Sequence, residues 1–525
     1  MQFVKTFSKS FYLLVLFVFM ESCFPKLERS IFEPLTIYNL FRSWVLTTTS
    51  ATPSSFTLGG TISGLTTSEL VLSSGGSSPQ RLVVAANSSS FQFSNVLATN
   101  STYAVTVSTQ PTDLNCTVSN GTGTITANVS NIVVTCTRLV VDTPTFSNAS
   151  GNYTTPQMIS ISTTTSGATI YYTTDGTDPT VSSSLYSVLI HIWFLAGRTI
   201  KAIAVKSGRT DSAIATAEYS YLPLKVMQTT CFDATSAIAC PGLGDDGATQ
   251  FGVARSYTDN GDGTVTDNAT GLLWQRCSVG LSGASCASGT ISLLDWPTAN
   301  TTCNALVTAG KTWRLPTYLE LETLTQNPNS IDATAFPATA SNAYWTATDF
   351  YSNSLNAYII NFADGSSNNS VKTPTTRHVR CVSGPTQTSF SKYVDNGDGT
   401  IKDKQTGLTW QKCTFGQNND ATCTGGPGTS VDWVTALATC SSLPLAGKTW
   451  RLPNLKEMQS TFDRSRATSP LIDTSFFPST GNTGYQNSNT YLNNATFSWV
   501  INYLDGHQPN STKAGVTILR CVTGP

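Results

Sequence analysis

Apolar residues in this chain alternate with polar ones in short runs far more often than they keep a helical period. From Phe56 to Arg138 the runs are LVLSS, RLVVAA, SFQFSNV, YAVTVST and NIVVTCT, broken by Gly, Asn and Ser. Such alternation with frequent turn residues predicts a small antiparallel β-sandwich over 56–138. A second β-unit is predicted over 142–221, where ATIYYTTDGTDPT, TIKAIAV and TAEY read as strands. Asp175-Gly176 and Asp178-Pro179 supply the turn residues between two of them, which accounts for both carboxylates without a catalytic role. Helical signals are confined to the C-terminal half. They fall over Asp295 to Leu306 and from Thr317 to Leu324, and again over Asp432 to Leu443 and from Asn454 to Met458. Pro316 suits a first helical turn, and Leu321 and Leu324 should face a core. Residues 24–55 read as a tether, the stretch SWVLTTTSATPSS in particular being Ser/Thr-rich without helical period, and 222–255 reads as a linker.

The helical signals recur because the C-terminal half is duplicated. YTDNGDGTVTDNATGLLWQRC (257–277) returns as YVDNGDGTIKDKQTGLTWQKC (393–413), identical at 14 of 21 positions. GKTWRLP at 310 recurs at 447, NFADG at 361 returns as NYLDG at 502, and RCV occurs at 380 and 520. A period of roughly 137 residues is far above the ~20–50 residues of solenoid repeats, so these are tandem domains. Each is predicted α+β, over 256–384 and 392–525.

These motifs, together with WRLPTYLELETL and AYWTAT, resemble the Lcl C-terminal domain family, known from exported bacterial proteins. The WRLP helix, YW strand and terminal RCV strand also look like the α+β fold of C-type lectins and formylglycine-generating enzymes. The YYTTDGTDPT run resembles the C-terminal domain of chitobiase and β-hexosaminidase, which implies an immunoglobulin-like sandwich. The resulting architecture is two all-β domains followed by two α+β domains.

Composition changes the picture in one respect. Only 12% of residues are charged and the formal net charge is −1, so no basic field is available to hold nucleic acid. Lys5 and Lys9 precede a ten-residue apolar run, Phe11 to Met20, which is too short to span a bilayer and reads as an export signal. Met20-Glu21-Ser22-Cys23 resembles a bacterial lipobox over 1–23. Lipidation of Cys23 would anchor the protein to a membrane at the outer envelope or cell surface; ordinary cleavage nearby is the alternative.

Of 13 cysteines, twelve remain beyond Cys23. Cys116 and Cys136 share one segment, Cys231 and Cys240 flank a short loop, and each repeat has four: Cys277, Cys286, Cys303, Cys381 and Cys413, Cys423, Cys440, Cys521. Loop closure and duplication favour 277–286, 303–381, 413–423 and 440–521 among three connectivities per repeat. Zinc is disfavoured, since no C-x-x-C occurs and His191, His378 and His507 do not recur equivalently. The DNGDG clusters fail the EF-hand spacing and read as turns with Gly261 and Gly263 at positive φ, a non-EF calcium site being the alternative. No cofactor is implied.

Aromatic residues are the candidate ligand contacts: Tyr344, Trp345, Tyr351, Tyr485, Tyr491 and Trp499. The competing reading puts them in the core. Tyr344-Trp345 becomes Tyr485-Gln486 in the second copy, so the first repeat would bind better if that strand were exposed. Arg314 and Arg451 read as structural ion-pair residues. The functional expectation is a non-enzymatic adhesion protein presenting two heads to a glycan or a surface or matrix protein. An architectural envelope lipoprotein and a formylglycine-type enzyme are the alternatives.

Overall fold

A computed structural model describes residues 54–76, 79–193, 197–240, 243–326, 331–385, 392–426 and 428–524. The signal, lipobox and tether readings, Cys23 included, lie outside them. The chain is mostly β with few helices and divides into two compact units, Met1–Leu139 and Val140–Pro525. Among the described residues no helix is long and apolar enough to cross a membrane.

In the first unit, Val129–Arg138 runs parallel to Leu58–Ser63 and antiparallel to Leu114–Ser119. Its alternation turns Ile132, Val134 and Cys136 inward, where they meet Leu58, Ile62 and Phe91. A Cβ on Gly60 would lie 2.0 Å from the Ile132 carbonyl oxygen, so only glycine lets these two strands approach. Cys116 and Cys136 face each other in register and are bridged.

The second unit begins with a five-stranded sheet in the order Gly151–Tyr153, Ala215–Tyr221, Arg198–Val205, Thr169–Thr173, Ser184–Leu185. Ile159, Ile161, Ile190 and Ile192, from short pairs on the other side, pack on Ile200, Ala202 and Tyr219.

Each repeat is then built alike. Tyr257–Asp259, Thr264–Asp267, Leu273–Gln275 and Val382–Ser383 form one antiparallel sheet; Ala343–Phe350, Asn353–Asn361 and Ser367–Val371 form another. The second copy uses Tyr393–Asp395, Thr400–Asp403, Thr409–Gln411 and Val522–Thr523, then Gly484–Thr490, Phe497–Asn502 and Asn510–Thr512. The DNGDG turns place Gly261 and Gly263 at φ 75° and 86°, the left-handed region that favours glycine. Their carboxylates are used locally: Asp262 accepts from the Thr264 amide and hydroxyl, and Asp259 pairs with Arg276.

Helices Trp296–Asn304 and Trp433–Ser441 start at Asp295 and Asp432, whose side chains accept from Thr298 and Thr435 amides. Helices Tyr318–Thr323 and Leu455–Ser460 start from capping boxes, Thr317 with Glu320 and Asn454 with Glu457. Pro316 therefore stands ahead of the cap rather than in the first turn.

Two arrangements depart from the sequence expectation. The repeats pack on each other, so they are not separate heads: Lys456 Nζ donates to the Glu322 carbonyl at 2.8 Å and Thr325 Oγ1 at 2.7 Å and pairs with the Glu322 carboxylate. Gln508 donates to Tyr318 Oη, and Arg464 lies 3.6 Å from the Tyr318 ring centroid. Within 222–255, read as a linker, residues 226–240 and 243–251 form a strap on the second repeat, while Leu224 and Val253 pack with the preceding β-domain and Arg255 bonds the first repeat.

The four bridges favoured by loop closure and duplication are formed, and Cys116–Cys136 and Cys231–Cys240 are bridged as well. Non-reducing peptide mapping should recover 277–286 with 303–381 and 413–423 with 440–521; an alkylatable thiol in either repeat would contradict the structure.

Candidate binding faces on the two repeats

The WRLP segment buries Trp313 and Leu315 in the core and bridges through Arg314 to Val382, with amide-to-carbonyl distances of 2.9 and 3.0 Å. That pairing aims Arg314 at the next helix. Its two terminal nitrogens each donate to a Glu320 oxygen at 2.6 Å, a bidentate pair, and Arg451 and Glu457 repeat it. Glu320 also accepts the Thr317 amide at 2.8 Å, so one carboxylate serves the cap and the arginine. These arginines are structural, as expected.

Beside this corner the repeats carry a Trp–Lys stack. Lys372 Nζ sits 4.2 Å from the Trp296 ring centroid and donates to Asp349 at 2.6 Å. Lys513 Nζ sits 4.0 Å from the Trp433 ring centroid. Spacing alone does not single out these residues. The available signal is a lysine recurring at the same place near the end of each repeat.

The strap covers the second stack and its corner. Phe232 joins the cluster around Trp433, and the Asp233 carbonyl accepts from Lys513 Nζ at 2.6 Å. The Phe251 ring lies 4.1 Å from the Arg451 guanidinium carbon. Asp246 accepts from Asn454 at 3.1 Å and Asn489 at 3.0 Å, while Gln228 accepts from the Thr490 amide at 2.9 Å. Burial works against the Arg451 charge, but the Glu457 carboxylate, aided by Asp246, outweighs it and holds the guanidinium above its ordinary pKa.

Burial, with Glu457 nearby, pushes Asp246 up to about 7 although the Asn489 and Asn454 amides and Arg451 oppose the shift. A carboxyl raised on docking stabilises the docked strap below its free value, near 4, and that contribution is lost as pH rises through about 7. Amide-exchange protection of residues 243–251 is therefore expected to fall between pH 5 and pH 8. Unchanged or rising protection would contradict this, and Asp246→Asn should flatten the dependence.

The aromatic candidates fare differently. Tyr344, Trp345 and Tyr485 are fully buried and Trp499 is 3% exposed, so they belong to the core and offer no ring to a ligand. Tyr344 Oη bonds Ser278 at 2.6 Å, Tyr485 Oη bonds Thr414 at 2.7 Å, and Trp345 Nε1 donates to the Leu294 carbonyl at 2.8 Å. Half-buried Tyr351 packs on Phe350 against the second repeat's core, and half-buried Tyr491 lies edge-on to Trp499. The six residues form no common site. Where Trp345 is replaced, Gln486 bonds Ser498 at 2.6 Å, a local repacking. The condition for preferring the first repeat on account of an exposed YW strand is thus not met. Among the described residues no group of three or more His, Cys, Asp or Glu could hold a metal ion.

The Lcl C-terminal domain profile matches residues 263–383 and again 399–523. Both repeats are Lcl C-terminal domains. The chitobiase/β-hexosaminidase C-terminal domain profile matches 148–216, the immunoglobulin-like sandwich that precedes the Lcl pair. No curated protein sequence matches the chain. Among solved structures, the crystal structure of Drosophila N-cadherin EC1-4 aligns with 9% identity over 42% of this chain and 66% of that one, just under two thirds. Its TM-score of 0.11 carries no argument about the fold.

Proposed function

We propose that this chain is an exported, envelope-anchored, non-enzymatic binding protein whose paired Lcl C-terminal domains present the ligand-binding surface. The observation that carries this reading is the way reactive groups are consumed in structure. The repeats' eight cysteines form four bridges, the WRLP arginines are paired with glutamates, and the DNGDG carboxylates close turns. Formylglycine-type chemistry needs a reactive thiol, which a bridged cysteine does not supply. What the domains offer outward is largely hydroxyl- and amide-rich loop with scattered charges, suited to a glycan or a surface or matrix protein.

The seam favours one rigid double domain over two independently reaching heads, so tethering avidity is not part of the proposal. The test is immobilised glycans and matrix proteins probed with the full-length protein. Saturable binding to a defined ligand supports the reading, and no binding across a broad panel favours an architectural role. The anchor is tested separately: a palmitate analogue should label the protein, and Cys23→Ala should lose both label and membrane association.

A further inference from the structure

The strap precedes the first repeat in the chain yet docks on the second. The two repeats therefore show one face in two conditions. On the second repeat Trp433, Lys513, Asn489 and Thr490 are 0–1% exposed under the strap. Their counterparts on the first repeat are half-buried, for Trp296, Lys372 and Thr348, or exposed, for Asp349. Position by position the faces correspond. Thr348 accepts the Tyr318 amide at 2.9 Å where Asn489 accepts the Leu455 amide at 2.7 Å, and Thr317 caps where Asn454 caps.

The differences explain where the strap goes. Asp246 is held by the side-chain amides of Asn454 and Asn489, and threonines at the corresponding places lack those donors. Asp349 replaces Thr490, and its carboxylate, 53% exposed, would face the strap's acidic residues. The first face thus differs from the second by one added carboxylate, paired with Lys372, which makes it the less favourable of the two for an acidic segment. Trp296 and the Lys372 stack remain, in the arrangement that takes Phe232 on the second repeat, and Arg314 stands where Arg451 meets Phe251, its side chain 22% exposed against 21%.

We propose that this face, built from Trp296, Lys372, Asp349, Thr348, Thr317 and Arg314, receives an aromatic-bearing, non-acidic polypeptide segment of a partner protein. The proposal rests on reading the Lcl domains as binding modules. The strap is its internal template: two aromatic side chains, one over the Trp–Lys stack and one over the arginine, joined by chain that hydrogen-bonds between them. On this account the protein has one free peptide-binding face, because the other is filled from within.

The probe is a fluorescent peptide of residues 226–251 with its 231–240 disulfide closed, in native form and with Asp233, Asp245 and Asp246 changed to Asn. Both are titrated onto the full-length protein, and the footprint is mapped by amide exchange. The neutral peptide should bind saturably and protect the backbone around 314–318 and 347–349. The native peptide should bind about tenfold more weakly, the scale of one unfavourable charge contact of ~1.4 kcal/mol. Trp296→Ala should abolish binding, and Asp349→Arg, at an exposed position that leaves the core intact, should reverse the preference between the two peptides.

Three results would overturn the proposal: no saturable binding of either peptide, a footprint confined to 451–455, or a peptide preference unmoved by Asp349→Arg. A glycan protecting Thr348 and Asp349 when neither peptide binds would replace the protein partner with a carbohydrate. Because the probe is the chain's own segment, failure to find a ligand on the glycan and matrix panel does not bear on this outcome.

Discussion

Glu322→Ala is expected to destabilise the paired repeats by ~3–5 kcal/mol, the usual cost of leaving one member of a buried ion pair alone. The Lys456 and Glu322 side chains are 6% and 8% exposed, and the ammonium spends its donors on Glu322 and Thr325. Burial already lowers Lys456 to about 8 despite the adjacent carboxylate, so without Glu322 the cation loses what offsets its desolvation. Replacing both residues by leucine should recover most of the loss, because no uncompensated charge is left. Guanidinium unfolding of the full-length single and double variants checks this. A single variant within ~0.5 kcal/mol of wild type, the range of ordinary surface substitutions, would mean the seam contributes little.

Arg451→Ala is expected to be as damaging, and more so than Arg314→Ala. Removing Arg451 leaves Glu457, which is fully buried, close to Asp246, which is 1% exposed, with no cation between them and the Phe251 ring. The cost should again be ~3–5 kcal/mol, taken partly as release of the strap. Among the described residues Arg314 has no second carboxylate of this kind; beyond Glu320 its guanidinium meets the carbonyls of Gly384 and Pro385 at 3.4 Å. Amide exchange over 243–251 should separate the two variants, rising sharply for Arg451→Ala and staying near wild type for Arg314→Ala. Arg451→Lys should rescue poorly, since an ammonium cannot reproduce the two parallel bonds to one carboxylate. Equal effects of both alanine variants on the strap would show that Arg451 does not hold it.

Elements built from neighbours in sequence are legible in the order of residues alone. The Asp262 turn contacts, the Asp295 and Asp432 caps and the side-chain pairs of the WRLP arginines depend on partners within about six residues, and duplication marks them as structural. Cysteine pairing is legible for a related reason, because two copies have to satisfy the same connectivity. The Pro316 assignment misses by a residue or two, because a cap is set by which side chain reaches back to the backbone, and Thr317 does so together with Glu320. The aromatic candidates fail on a harder point. Alternation says that Tyr344 and Trp345 point to opposite faces of one strand, but not that both faces are covered. Here Tyr344 enters one core cluster and Trp345 another.

Residue order alone is enough for the duplication, the mostly β character, the α+β plan of each repeat and the positions of its turns, caps and bridges, because these follow from local stereochemistry and a pattern stated twice. That the repeats form one body, and that residues 226–240 and 243–251 form a strap, emerges only when the chain is folded. Lys456 meets Glu322 across 134 positions and Asp246 meets Asn489 across 243. Such contacts leave no period in the chain. They arise where burial makes two distant polar groups less costly to satisfy with each other than to leave unpaired, and that choice exists only once the surfaces have met.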